Sequence, residues 1–144
     1  MPAPQATVFQ NGRRKAYRPI PAGARRAAFE SAVAAYERGD YFEAHELLEP
    51  AWRGTDDIAE RELYQGLIKL AAAFVHGVRG NPRGIAKNLE GARARLGAAL
   101  AAGAATGGID LGALLADVDE RLARLAADPD DRTIAAPDLW RAAR

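Results

Sequence analysis

The sequence predicts an all-α domain, a compact bundle of about five helices. Three observations carry that expectation. Of the 144 residues 49% are apolar but only 7% aromatic, and alanine, the best helix former, dominates the remainder. Apolar residues recur at helical spacing through most of the chain. Glycines and short polar residues fall where such stretches stop and start.

Taken in order, residues 1–20 carry Pro2, Pro4 and Pro19 without periodicity and read as an extended or disordered basic arm. The helical bundle domain spans residues 21–127, and residues 128–144 form a tail. In residues 24–38, Phe29, Val33 and Tyr36 mark one helical face, and Gly39 stops that helix. Asp40 caps a second helix, with Glu43 completing a capping box. Pro50 removes a backbone donor near its end, so a bend is expected there, and Gly54 closes it. "TDD" at 55–57 opens a third helix over residues 57–79. Gly80 stops it, Asn81 caps the fourth, and Pro82 takes the favoured first position. Ile85, Leu89, Ala92, Leu96 and Leu100 line the fourth helix until "TGG" breaks it. Asp110 starts the fifth, with Leu111, Leu114, Leu115, Val118, Leu122 and Leu125 facing inward. In the tail, "APDLWRAAR" is expected to form a short helical turn that Trp140 pins to the body.

"RGDYFEAHELLEPA" from Arg38 aligns with "RGNPRGIAKNLEGA" from Arg79 at a constant offset of 41 residues. Gly39 then meets Gly80, Asp40 meets Asn81, Leu48 meets Leu89 and Ala51 meets Ala92. Each copy is a helix, a glycine stop, a polar cap and a second helix. The bundle is therefore expected to rest on two tetratricopeptide-like helical hairpins, too few for a solenoid.

Several function classes fall away. Without cysteine there is no disulfide, thiolate zinc site or cysteine nucleophile. Ser31 is the only serine, and "GAATGG" lacks the Lys-Ser/Thr of a phosphate loop. No run of about 18 apolar residues occurs and the first residues lack an apolar leader, so a cytoplasmic protein without a membrane partner is expected. The net charge of +1 hides an asymmetry: residues 1–30 hold Arg13, Arg14, Lys15, Arg18, Arg25 and Arg26 against Glu30 alone. Such an arm, residues 13–26, is where nucleic acid would bind through phosphate contacts. No nucleic-acid motif follows it, which favours a solvated tail. A homo-oligomer is compatible with the sequence, as is an unknown protein or small-molecule partner.

The densest chemistry lies in "DYFEAHELLEPAW", residues 40–52. At about 100° per residue, Ala44, Leu47, Leu48 and Ala51 share the core face with Trp52 at its edge. His45 and Glu49 lie one turn apart at the boundary, with Glu46 further towards solvent and Glu43 at the opposite boundary. In the third helix a wide apolar arc marks a central position, while Gln65, Lys69 and His76 fall on one line. These residues, with Tyr64, are expected to form a polar pocket between the second and third helices.

Three readings compete for it. "HELLE" resembles the zincin pattern H-E-x-x-H, so His45, Glu49 and His76 would ligate zinc, iron or manganese, and Glu46 would serve as base of a metal-dependent hydrolase. The four-helix di-iron pattern is absent, since Phe42 and Ala73 stand three residues before the histidines. Alternatively, the polar groups satisfy one another in a network that fixes helix packing. Third, the cluster lines a groove for a peptide or small anion, contacted by Lys69 and Arg53. The leading expectation is a non-enzymatic binding or structural module, with the hydrolase as its alternative. Residues 37–62 carry nine acids and three bases, and residues 79–95 five bases and one acid, so the two stretches are expected to pair.

"YFEAHELLEPAWR", "LYQGLIKLAAAFVH" and "GNPRGIAKNLEGA" together resemble the three blocks of DUF309, a family of small prokaryotic proteins of unknown function. The resemblance covers about residues 27–100 and implies an all-helical bundle. It marks Phe42, Glu43, His45, Glu46, Glu49 and Trp52, then Tyr64, Gln65, Gly66 and His76, then Gly80, Asn81 and Gly84. Lys69 replaces a glutamine expected there, and Pro50 departs from the pattern. The resemblance implies no reaction.

Overall fold

The structure is a computed structural model that describes residues 7–10, 13–16 and 19–139. Its helices are α1 (Ala22–Glu37), α2 (Tyr41–Arg53), α3 (Ile58–Val78), α4 (Pro82–Ala101) and α5 (Leu111–Ala127). Each packs on its neighbour in the chain, so α3 lies between α2 and α4. The all-α bundle expected from the sequence is what forms.

Local chemistry places the helix starts. Asp40, Asp57, Asn81 and Asp110 each accept a hydrogen bond from the backbone N–H three residues on, at 3.3, 2.8, 3.2 and 3.0 Å. Each such cap is worth about 1 kcal/mol. Pro82 occupies the first turn of α4. The 41-residue repeat is visible as one device used twice. Gly39 and Gly80 stop their helices at φ of 83° and 68°, in the left-handed region. The next residue's N–H closes on a carbonyl five back, Asp40 to Ala35 and Asn81 to His76, both at 2.9 Å.

The core gathers along α3. Leu48, Ala51, Leu70, Leu89, Ala92 and Leu96 are all buried. α3 and α4 approach closely at Gly66, where a Cβ would lie 2.6 Å from Leu96 Cδ2. Leu100, expected on the inward stripe of α4, is instead half exposed, and Ala99 is buried in its place. Steps of four and three from Ile85 carry position 100 about 60° round the helix, off the contact face.

The tail crosses the bundle without forming a helix over residues 132–138. Ile134, Pro137 and Leu139 are buried. Tyr36 Oη donates to Pro137 O at 2.8 Å, and Arg121 Nε donates to Ala135 O at 2.6 Å. Burial raises the Tyr36 pKa well above its ordinary value. Leu139 borders a small gap together with Ala32, Val33, Ala44 and Leu48 of α1 and α2. The short helical turn expected in "APDLWRAAR" is absent from residues 136–139, where Pro137 lacks a donor and restricts Ala136. Trp140 lies outside the described residues, as do Tyr17 and Arg18.

In the N-terminal arm, β1 (Thr7–Gln10) and β2 (Arg13–Ala16) pair antiparallel, Gln10 opposite Arg13 across Asn11-Gly12. Among the described residues no helix is long and apolar enough to cross a membrane.

Candidate functional site

The residues singled out in α2 and α3 pair with close neighbours along the chain. His45 Nδ1 lies 3.2 Å from Glu46 Oε1, on the same helix. Glu49 accepts from Arg53 Nη2 at 2.8 Å, an i, i+4 pair. His76 Nδ1 lies 3.3 Å from Asn81 Nδ2, and its ring covers Gly84, where a Cβ would stand 2.5 Å from His76 Cγ. Glu43 and Glu46 are exposed, whereas Gln65 and Trp52 are buried. No three His, Cys, Asp or Glu side chains among the described residues are grouped to hold a metal ion.

The expected pairing of the acidic and basic stretches is realised between Arg95 Nη1 and Glu62 Oε1 at 3.2 Å. Elsewhere the bases of α4 turn the other way. Arg93 meets Asp119 at 2.7 Å, and Arg83 meets Asp130 at 3.7 Å. The acids of α2 keep an exposed face. Beside it Phe42 and Val78, both largely exposed, border a shallow groove of about 260 Å³ with Tyr41 and Val75.

Tyr64 belongs to a different site. Its Oη donates to Glu60 Oε1 at 2.7 Å, one turn back on α3. Glu60 also accepts from Arg25 Nε at 2.6 Å, Arg25 Nη2 at 3.3 Å and Thr55 Oγ1 at 3.2 Å. Arg25 Nη1 donates to Ile20 O, and Ile20 N–H donates to Gly54 O at 3.1 Å. Gly54 is required here, because a Cβ would stand 2.8 Å from Ile20 Cβ. One carboxylate thus ties α1, the α2–α3 turn and α3 together.

Burial pulls the Glu60 carboxyl upward, but hydrogen bonds from Arg25, Tyr64 and Thr55 and the Arg25 charge outweigh it, so its pKa is lowered. Tyr64 is pushed well above the usual phenol range, first by burial and then by Glu60. The Glu60 hydrogen bond likewise raises Arg25.

This network forms one wall of an open cleft of about 500 Å³. Phe29 and Leu63 supply an apolar floor, residues 102–105 the far wall, and Arg26 and Asp57 the polar edge. Gly107, at φ 61°, leaves room for the Phe29 ring, which a Cβ would approach to 2.6 Å. Sequence reasoning missed this cleft. It assigned Arg25 to the basic arm and passed over Glu60, although the Glu60–Tyr64 spacing of four was a usable signal.

The helices holding both regions match a known family. The family model of DUF309, a domain of unknown function, covers residues 29–88. Residues 29–88 are thus similar to the DUF309 domain. No curated protein and no solved structure matches the chain. The DUF309 match contains His45, Glu49, Tyr64, Gln65, Lys69 and His76. It leaves out Arg25 and the α4–α5 connection, so the cleft is built partly from the matched segment and partly from the chain around it.

Proposed function

We propose that the protein is a non-enzymatic binding module whose ligand seat is the cleft between α1, α3 and the α4–α5 connection. The observation that carries this reading is a concave, largely apolar space of about 500 Å³, within the range of small-molecule sites. Its wall is fixed by Arg25, Thr55, Glu60 and Tyr64. The Glu60 carboxylate is already engaged by three side chains and is poorly placed to take a proton from a substrate. The ligand would have an apolar body against Phe29 and Leu63, and polar groups facing Arg26 and Asp57. The two tetratricopeptide-like hairpins would act as its frame.

The competing reading keeps the hydrolase, with His45, Glu49 and His76 on a divalent metal and Glu46 as base. One preparation tests both. A small-molecule screen followed by amide NMR is expected to shift signals of Phe29, Leu63 and residues 102–105. The Ala105→Trp variant, which fills the cleft from an exposed position, should abolish those shifts without unfolding the protein. Shifts confined to α2 and the His76 turn would overturn the cleft. So would stoichiometric zinc, iron or manganese in untagged protein that is lost on His45→Ala.

A further inference from the structure

α2 begins where α3 ends, and the two meet at the shallow groove of about 260 Å³. Residues 39–42 form one lip, and Val75, Val78 and Arg79 form the other. Within the first lip the Tyr41 ring is fixed, edge-on to Tyr36 at 5.2 Å and tilted against Phe74 at 5.8 Å between centroids. The backbone of both lips is held as well, since Asp40 caps α2 and the Gly39 and Gly80 turns close on hydrogen bonds. A groove built this way needs little rearrangement to bind. Phe42 is 61% exposed on the first lip, and Val78 is 76% exposed on the second. Single exposed apolar side chains are ordinary, but two bordering one groove make a patch that association can bury.

The lips differ in charge. Glu43 follows Phe42 in the chain and Glu46 stands one turn beyond it on α2, and both are exposed. Asp40 adds a carboxylate, with Arg38 3.9 Å away. The other lip ends in Arg79, also exposed. A ligand of a single sign would be drawn to one lip and repelled by the other. A second copy of the chain meets both demands. A two-fold axis running along the groove would set each acidic lip against the basic lip of the facing copy. Phe42 would then pack on Val78 and Glu43 would face Arg79, each contact being made twice.

We propose that this groove is the contact face of a two-fold dimer of the chain, joined by Phe42 against Val78 and Glu43 against Arg79. The groove shares no lining residue with the cleft, and the dimer does not depend on the cleft reading. Its seven lining residues are fewer than the roughly 20–30 a side of a standard interface, so association is weak and shows at high concentration.

Sedimentation equilibrium of the full chain from about 10 µM to about 1 mM tests this. The average mass is expected to rise from the monomer towards the dimer. Phe42→Ser alters an exposed side chain that enters the contact twice. It should raise the dissociation constant about tenfold or more while leaving the melting temperature of dilute protein unchanged. Glu43→Lys and Arg79→Glu should each weaken association, and the two together should restore it, since the lips then exchange charge. Ile58→Ser alters a side chain that is 72% exposed outside the groove, and should change nothing. A chain that stays monomeric up to about 1 mM would overturn the proposal and leave the groove to a partner of different sequence. Equal association by wild type and Phe42→Ser would overturn it. So would a charge exchange that fails to restore what the single reversals lose.

Discussion

Replacing Trp52 with alanine is expected to lower the unfolding free energy by about 3–5 kcal/mol. The indole sits at the end of α2, 2% exposed and part of the same core cluster as Leu48, Leu63 and Leu67. Its removal would lose the transfer energy of a large ring and leave a void that alanine-rich helices cannot refill by rotamer change. A domain of this size has about 5–15 kcal/mol in total, so the variant would be marginal. His45→Ala, seven residues earlier on the same helix, should cost under about 1 kcal/mol, since its partner Glu46 is largely exposed. Urea unfolding of both variants measures the contrast. A cost for Trp52→Ala no greater than that for His45→Ala would refute the core placement of the indole.

That contrast shows what the sequence could and could not reveal. The starts of α2, α3, α4 and α5 have a local cause, a cap whose acceptor and donor are three residues apart, and so these elements were readable one by one. The Gly39 and Gly80 stops were readable for the same reason. The helical wheel placed Ala44, Leu48 and Ala51 inward correctly. It failed at Leu100, where a stripe drifts off a contact face whose end the sequence does not mark.

Long-range polar pairing was the larger loss. Arg25 and Glu60 are 35 residues apart, and in sequence each has a sufficient local explanation, a basic arm and a helix-start acid. The acids of α2 and the bases of α4 suggested each other by composition, yet Arg93 and Arg83 of α4 turn towards α5 and the tail. The pairing of β1 with β2 was not legible, because the strands are short and prolines flank the segment. The tail was the least legible element, because Leu139 is buried beside residues of α1, α2 and α3 that are far from it in sequence.

The second large effect follows from that long-range pair. Glu60→Gln keeps the volume of the side chain and removes its charge, leaving the Arg25 guanidinium, 18% exposed, without its carboxylate. The expected loss is about 1–3 kcal/mol near neutral pH, because charge-assisted bonds from Arg25 become neutral ones and one acceptor becomes an NH₂ donor. Glu62→Gln, which removes the more exposed pair with Arg95, should cost only about 0–1 kcal/mol. The pH dependence separates charge from packing. The folded pKa of Glu60 lies below its ordinary value of 4.5, so the unfolded chain binds the proton first on acidification. The stabilisation from Glu60 is therefore complete above that value and drains away as pH falls through the lowered folded pKa. Glu60→Gln should flatten this acid limb, whereas Glu62→Gln should leave it steep. At the alkaline end the raised Tyr64 pKa has the opposite sign: stability is present below the ordinary phenol value of 10.0 and is lost as pH rises from there. Urea midpoints of both variants, followed from neutral pH into acid, decide the matter. Parallel acid limbs for Glu60→Gln and wild type would show that the carboxylate does not hold α1 to α3, and the wall of the cleft would need another support.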